Sequence, residues 1–109
     1  MMRYAVYHAI DPMQMVFHDP AQWQTHRDTA YRHVADVEAN SEDNPLSQVF
    51  GSTNHSEDEH PWQKKPEVVW HDASRPQRST SVGDVVINQI TGETWMVMPF
   101  GWKRLERQP

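Results

Sequence analysis

The sequence predicts an α+β fold: a small, mostly antiparallel sheet or half-open barrel, with one long helix packed on one face and a short second helix. Three observations support this prediction. β-branched and aromatic stretches separated by turn residues recur along the 109-residue chain, most clearly in residues 78–105. A capped stretch with apolar residues at helical spacing begins near residue 19. The length is that of a single domain, residues 1–109.

The N-terminal part predicts one strand and the long helix. Residues 3–10 predict a strand whose alternate residues lie on one side of an extended chain, namely Tyr4, Val6, His8 and Ile10. Asp19-Pro20 is then typical of a helix start, because aspartate caps free backbone amides and proline suits the first helical position. The helix is predicted over residues 20–39, and its buried stripe is predicted to contain Trp23, Ala30, Val34 and Val37.

The middle of the chain predicts shorter elements. An Asn-Pro pair at 44–45 begins a second helix over residues 46–50, which a glycine ends. Residues 52–65 are polar and broken by proline, so they predict a surface loop pinned by the ring of Trp62. Residues 67–71 predict a short strand.

The C-terminal part predicts a hairpin. Gly83-Asp84 is a turn signal, and the β-branched residues 85–87 after it predict a strand. A polar loop leads to a return strand, residues 94–98, which has bulky residues on both faces and is therefore predicted to be central. Pro99 ends that strand, and residues 103–105 are compatible with a short last one.

The predicted core draws on all of these elements, and its members share a large or β-branched apolar side chain. They are Tyr4, Val6, Phe17, Trp23, Val34, Val37, Phe50, Val69, Val85, Ile87, Trp95, Val97 and Trp102.

Composition excludes several classes of function. The chain has no cysteine, which excludes disulfides, thiol catalysis and cysteine-ligated metals. The sequence contains no apolar run long enough to predict a signal peptide or a membrane span. We therefore expect a cytoplasmic protein that does not bind membranes. The net charge of −5 argues against nonspecific binding of nucleic acid.

One part of the sequence resembles a known family. The run Arg78-Ser79-Thr80-Ser81-Val82-Gly83-Asp84-Val85-Val86, a hydrophobic strand, and then Phe100-Gly101-Trp102 are similar to the C-terminal signature of the YodL-like domains. An upstream segment, residues 46–50 with Thr53-Asn54, also resembles that family, so the similarity covers roughly half of the chain. YodL-like domains are small proteins of plasmids, phages and other mobile elements, and the resemblance implies this genetic context but no reaction.

Two patterns are candidates for chemistry. The segment between His55 and His60 contains two histidines and three acidic residues, which suit a divalent metal, although a solvated acidic loop has the same composition. The second pattern is the adjacent pair His71-Asp72, followed by Ser79 and Ser81, which are residue types used by hydrolases. The sequence motifs of a hydrolase are absent, so we predict no catalytic set and no cofactor.

Basic residues flank a group of aromatic residues near the C-terminus. The basic residues are Arg75, Arg78, Lys103, Arg104 and Arg107, and the aromatic ones are Trp95, Phe100 and Trp102. Such a pattern is found on small barrels that stack single-stranded nucleic acid, but the same aromatics also suit a core with a basic rim. For Arg78, a structural role in satisfying turn carbonyls or an acidic partner is favoured over a ligand role.

We therefore expect a non-catalytic accessory protein of a mobile element that acts by binding another protein, with the host defence machinery as the candidate target. The predicted binding residues are Trp62, Arg78, Trp102 and Arg104. The alternative is a small β-barrel that binds nucleic acid, and the third hypothesis is a metal-assisted enzyme that uses His55 and His60.

Overall fold

The computed structural model describes residues 2–10, 20–39, 44–54, 62–74 and 78–105, leaving aside the side chains of residues 20–22 and 26. Within these residues the chain forms a six-stranded antiparallel sheet with two short helices. The strands are β1 (Met2–Ala9), β2 (Tyr31–Ala39), β3 (Val68–His71), β4 (Val85–Asn88), β5 (Thr94–Val97) and β6 (Trp102–Leu105). The helices are α1 (Pro20–Ala30) and α2 (Pro45–Ser52), and a single 3-10 turn lies at Trp62–Lys64.

The strand order is β3-β2-β1-β4-β5-β6, so β3 and β6 are the edges. β1 is central and pairs with β2 on one side and β4 on the other. The strands predicted near the N-terminus and at residues 67–71 are confirmed, as is the hairpin of β4 and β5. β5 pairs on both sides, as predicted for a central strand. Among the described residues, neither helix has the length and apolar content needed to cross a bilayer.

The predicted fold class is wrong, because residues 20–39 do not form one long helix. The helix ends at Ala30, and the next nine residues are the strand β2. Val34 is an extra residue in the pairing with β1, where Val6 pairs with Ala35 and Tyr7 with His33. Because of this bulge, the buried residues of β2 do not alternate with exposed ones. Their spacing in the sequence therefore resembles that of a helix. Tertiary pairing with β1 then overrides the local helical pattern.

The two faces of the sheet carry different clusters. On one face, α2 and the 3-10 turn cover a cluster that contains Tyr4, Val6, Val37, Val49, Trp62, Val68 and Val86. On the other face, α1 packs Trp23 edge-on against Tyr7 and Tyr31, each with ring centroids 5.1 Å apart. This second cluster also contains Ala9, Val85, Met96 and Leu105.

The core prediction is confirmed at seven positions, which are Tyr4, Val6, Trp23, Val34, Val37, Val85 and Val97. It is wrong at Val69, which is 43% exposed. Asp36 pairs with Trp70 and Val37 with Val68, so Val69 is the extra residue of a second bulge and leaves the core face. Phe50, Ile87, Trp95 and Trp102 are only half-buried, and Phe17 lies outside the described residues.

Candidate protein-binding surface

The loop before β4 folds around Asp84, which is fully buried. The guanidinium of Arg78 donates a hydrogen bond to each oxygen of this carboxylate, with Nη1 2.6 Å from Oδ2 and Nη2 2.7 Å from Oδ1. The backbone amides of Ala9 and Ser81 also donate to this carboxylate, each at 2.8 Å. A bidentate guanidinium and two amides together compensate a charge that would otherwise be costly to bury.

The guanidinium of Arg78 has further acceptors inside the fold. Nη2 donates to the carbonyl oxygen of Ala9 at 3.1 Å, and Nη1 donates to that of Ser79 at 3.0 Å. Arg78 therefore joins the end of β1 to the loop before β4. This geometry confirms the structural role favoured for Arg78, as a residue that satisfies carbonyls and an acidic partner.

His8 lies beside this ion pair and is only 4% exposed. Its Nε2 is hydrogen-bonded to the hydroxyl of Thr80 at 2.8 Å and lies 3.9 Å from Oδ2 of Asp84. Burial lowers the pKa of His8 to about 4, because the loss of hydration outweighs the attraction of the carboxylate. The imidazole is therefore neutral at pH 7. Since Thr80 and Asp84 are also buried, this His-Thr-Asp group is closed to a substrate.

Trp62 belongs to the same interior. The ring is fully buried, its Nε1 donates to the carbonyl oxygen of Arg78 at 2.9 Å, and its edge faces His8. The surface loop predicted over residues 52–65 lies partly outside the described residues, and the ring that was expected to pin it belongs to the core. Two of the four predicted binding residues, Trp62 and Arg78, thus lie together in an internal cluster.

The other two predicted binding residues, Trp102 and Arg104, lie together on β6. Trp102 pairs with Val97 and Arg104 pairs with Trp95 across β5, so alternation places both on the sheet face that carries α2. The guanidinium of Arg104 lies over the Trp95 ring, 6.0 Å from its centroid. Trp102 is half-buried, whereas Arg104 is exposed.

A cleft of about 190 Å³ separates α2 from the end of β5 and the turn into β6. Its lining residues are Ser47, Phe50, Val97, Met98, Gly101 and Trp102. The rings of Phe50 and Trp102 meet edge-on, with centroids 6.3 Å apart. The turn that forms one wall carries Phe100, which is 97% exposed. We call the cleft, Phe100 and the strand β6 together the β6 surface.

The local sequence explains how α2 presents Phe50. Proline occupies the first turn, and the last carbonyls are satisfied beyond the helix. Thr53 donates its backbone amide and its hydroxyl to the carbonyl oxygen of Val49, and Nζ of Lys65 donates to that of Gly51. The amide of Thr80 donates to the carbonyl oxygen of Thr53, so the residue that follows α2 contacts the loop before β4.

The charge of the β6 surface is opposite to that of the whole chain. Lys103 and Arg104 are both exposed, and neither forms an ion pair with another described residue. The complete chain carries a net charge of −5. This edge of the sheet is therefore a local basic site that favours an acidic ligand.

The remaining candidates lie in parts of the chain that the structure does not describe. His55 and His60, predicted as metal ligands, lie outside the described residues, as do Arg75 and Arg107. Where the structure describes side chains, no group of three or more histidines and carboxylates is arranged to hold a metal ion. Phe50 was not predicted as a site residue, and Phe100 was predicted only as part of the basic and aromatic pattern considered for nucleic acid. The available signal was the Pro-Phe-Gly sequence at 99–101, which places an aromatic ring in a tight turn.

Comparison with protein-family models finds no match for the chain. Curated proteins and solved structures likewise show no significant similarity to it.

Proposed function

We propose that this chain is a non-catalytic binding protein that holds a partner protein on its β6 surface. The observation that carries the proposal is Phe100, a large apolar ring exposed beside an apolar cleft. Binding hot spots are enriched in aromatic residues and arginine that become buried on contact, and Trp102 and Arg104 are adjacent to the cleft on β6.

The size of the cleft favours a side chain of a partner over a free small molecule. Its volume of about 190 Å³ is below the range of ~300–1,000 Å³ that is usual for sites of drug-sized ligands. The resemblance to the YodL-like domains supports the second part of the proposal: the protein serves a mobile element, and its partner belongs to the host, with defence machinery as the leading class.

The test is capture from a host lysate on the immobilised full-length chain, compared between Phe100→Ser and Ile90→Ser. Both side chains are exposed on turns, at 97% and 67%, so neither change should unfold the protein. We expect a partner that the wild type and Ile90→Ser retain and Phe100→Ser loses. Identical protein profiles for both variants, or no captured protein, would contradict the proposal.

Nucleic acid remains the second candidate because Arg104 over Trp95 resembles part of a stacking platform. The guanidinium of Arg78 is held by Asp84, which leaves fewer free cations than the sequence pattern predicted. Fluorescence titration with a short single-stranded oligonucleotide at low salt separates the two functions. Binding that weakens steeply with salt and is lost in Arg104→Ala would favour nucleic acid over protein.

A further inference from the structure

We propose that the β6 surface takes an extended acidic segment of its partner as a seventh strand, paired with the free edge of β6. This inference rests on the proposed function and names the chemistry of the partner. The strand β6 is the last in the sheet, and its outer edge faces no other described strand. Such an edge offers unpaired backbone amides and carbonyls to an incoming chain.

The two edges of the sheet are not equally suited to adding a strand. At β3, the extra residue Val69 breaks the register, and bulges of this kind disrupt regular pairing. At the other edge, β6 pairs with β5 through four consecutive residues without a shift. A regular ladder can therefore continue outward from β6, and β3 is the protected edge.

The side chains of β6 define the sequence that would pair with it. Trp102 and Arg104 point to the face with the cleft, and Lys103 points to the opposite face. A residue opposite Trp102 should be apolar, since it lies beside the cleft and Phe50. Residues opposite Lys103 and Arg104 should be acidic, because opposite charges pair favourably across strands. The preferred segment thus has one apolar residue followed or preceded by two acidic ones.

Two simpler explanations do not fit the whole surface. Lysine and arginine on an edge strand discourage aggregation, but this role requires neither the exposed Phe100 nor the adjoining cleft. An amphipathic helix needs a groove that takes anchors at several successive turns. The cleft here is compact, and the six residues that line it leave room for one apolar side chain.

The test uses a phage-displayed library of random short linear peptides, selected in parallel on the wild-type chain and on Lys103→Glu/Arg104→Glu. Both positions are exposed, so the charge-reversed protein should fold, as circular dichroism would verify. We expect the wild type to select peptides with an apolar residue next to acidic residues. The variant should select basic residues at those positions instead.

A backbone control separates strand addition from other modes of binding. The best peptide is synthesised with N-methyl groups on alternate residues, in two complementary sets. In strand addition, the backbone amides of only one set point toward β6. Methylation of that set should lower the affinity at least tenfold, and methylation of the other set should leave the affinity unchanged. Equal effects of the two sets, or selected peptides with anchors at helical spacing, would overturn strand addition and leave the binding function standing. A library without enrichment also overturns it, whereas the lysate experiment judges the function independently.

Discussion

At Asp84, a fully buried carboxylate accepts hydrogen bonds from the guanidinium of Arg78 and from two backbone amides. These four donors connect the loop before β4 to the end of β1, which is distant in sequence. Arg78 and Asp84, which lie in the same loop, are thus two halves of one interaction. At the scale of single residues, stability should depend on this pair more than on any exposed charge.

Arg78→Ala is expected to lower the free energy of unfolding by about 3 kcal/mol, the lower end of the cost of breaking a buried ion pair. The lower end applies because two amides still hold the Asp84 carboxylate. Urea denaturation provides the measurement, and Arg104→Ala is the control, since Arg104 is exposed and should change stability by less than about 0.5 kcal/mol. Equal losses in the two variants would contradict this role of Arg78.

His8 makes a prediction about pH. The unfolded chain takes up a proton at this residue as pH falls below about 6.5, whereas the folded chain does so only near the lowered pKa of about 4. Acid therefore favours the unfolded state, and His8 should remove about 3 kcal/mol of stability between these two pH values. Denaturation of the wild type and His8→Gln across this range tests the difference. Parallel pH curves for the two proteins would show that His8 does not contribute.

At the scale of elements, β2 shows where prediction from sequence fails. Tyr31, Val34 and Val37 lie three residues apart in sequence, as on one face of a helix. The bulge at Val34 allows a strand to bury residues with the same spacing. Local pattern contains no information about the partner strand β1, which decides the outcome. By contrast, β4 and β5 were predictable because they adjoin in sequence and their turn has its own signals. Asn88 accepts hydrogen bonds from the amides of Ile90 and Thr91 in that turn.

The candidate site, like the fold, was predictable only where its residues are close in sequence. Trp102 and Arg104 are adjacent on one short strand, so their proximity follows from alternation. The burial of Trp62 depends on strands and a helix from other parts of the chain, which no local signal reveals. The exposure of Phe100 likewise depends on how the turn leaves the sheet, which the local sequence does not specify.

The turn that holds Phe100 gives a prediction with a matched control. Gly101 has a φ of +82°, and Gly51 lies within α2; an added methyl group would meet no atom within 4 Å at either position. Gly101→Ala should destabilise the fold by roughly 1 kcal/mol, because side chains disfavour positive φ. Gly51→Ala should stabilise it by roughly 0.5–1 kcal/mol, because alanine favours a helix. Urea midpoints would move in opposite directions, and shifts of the same sign would contradict the backbone geometry.

At the scale of the whole molecule, the residues that stabilise the fold and the residues proposed to bind a partner lie in different parts of the sheet. Its centre and the loop before β4 contain the buried ion pair, the neutral histidine and Trp62. Its last strand and the turn before it present an exposed ring, a cleft and two exposed cations on a chain of net charge −5. Changes on the β6 surface should therefore alter binding while the fold persists.

Amide hydrogen exchange of the protein, alone and with its captured partner, tests this division most directly. The partner should slow exchange in β6 and in the turn that carries Phe100, because the free edge of the sheet gains hydrogen bonds. Exchange at the bulged edge β3 should remain unchanged. Protection centred on β3, or on any segment other than β6 and its turn, would contradict the assignment of the binding surface.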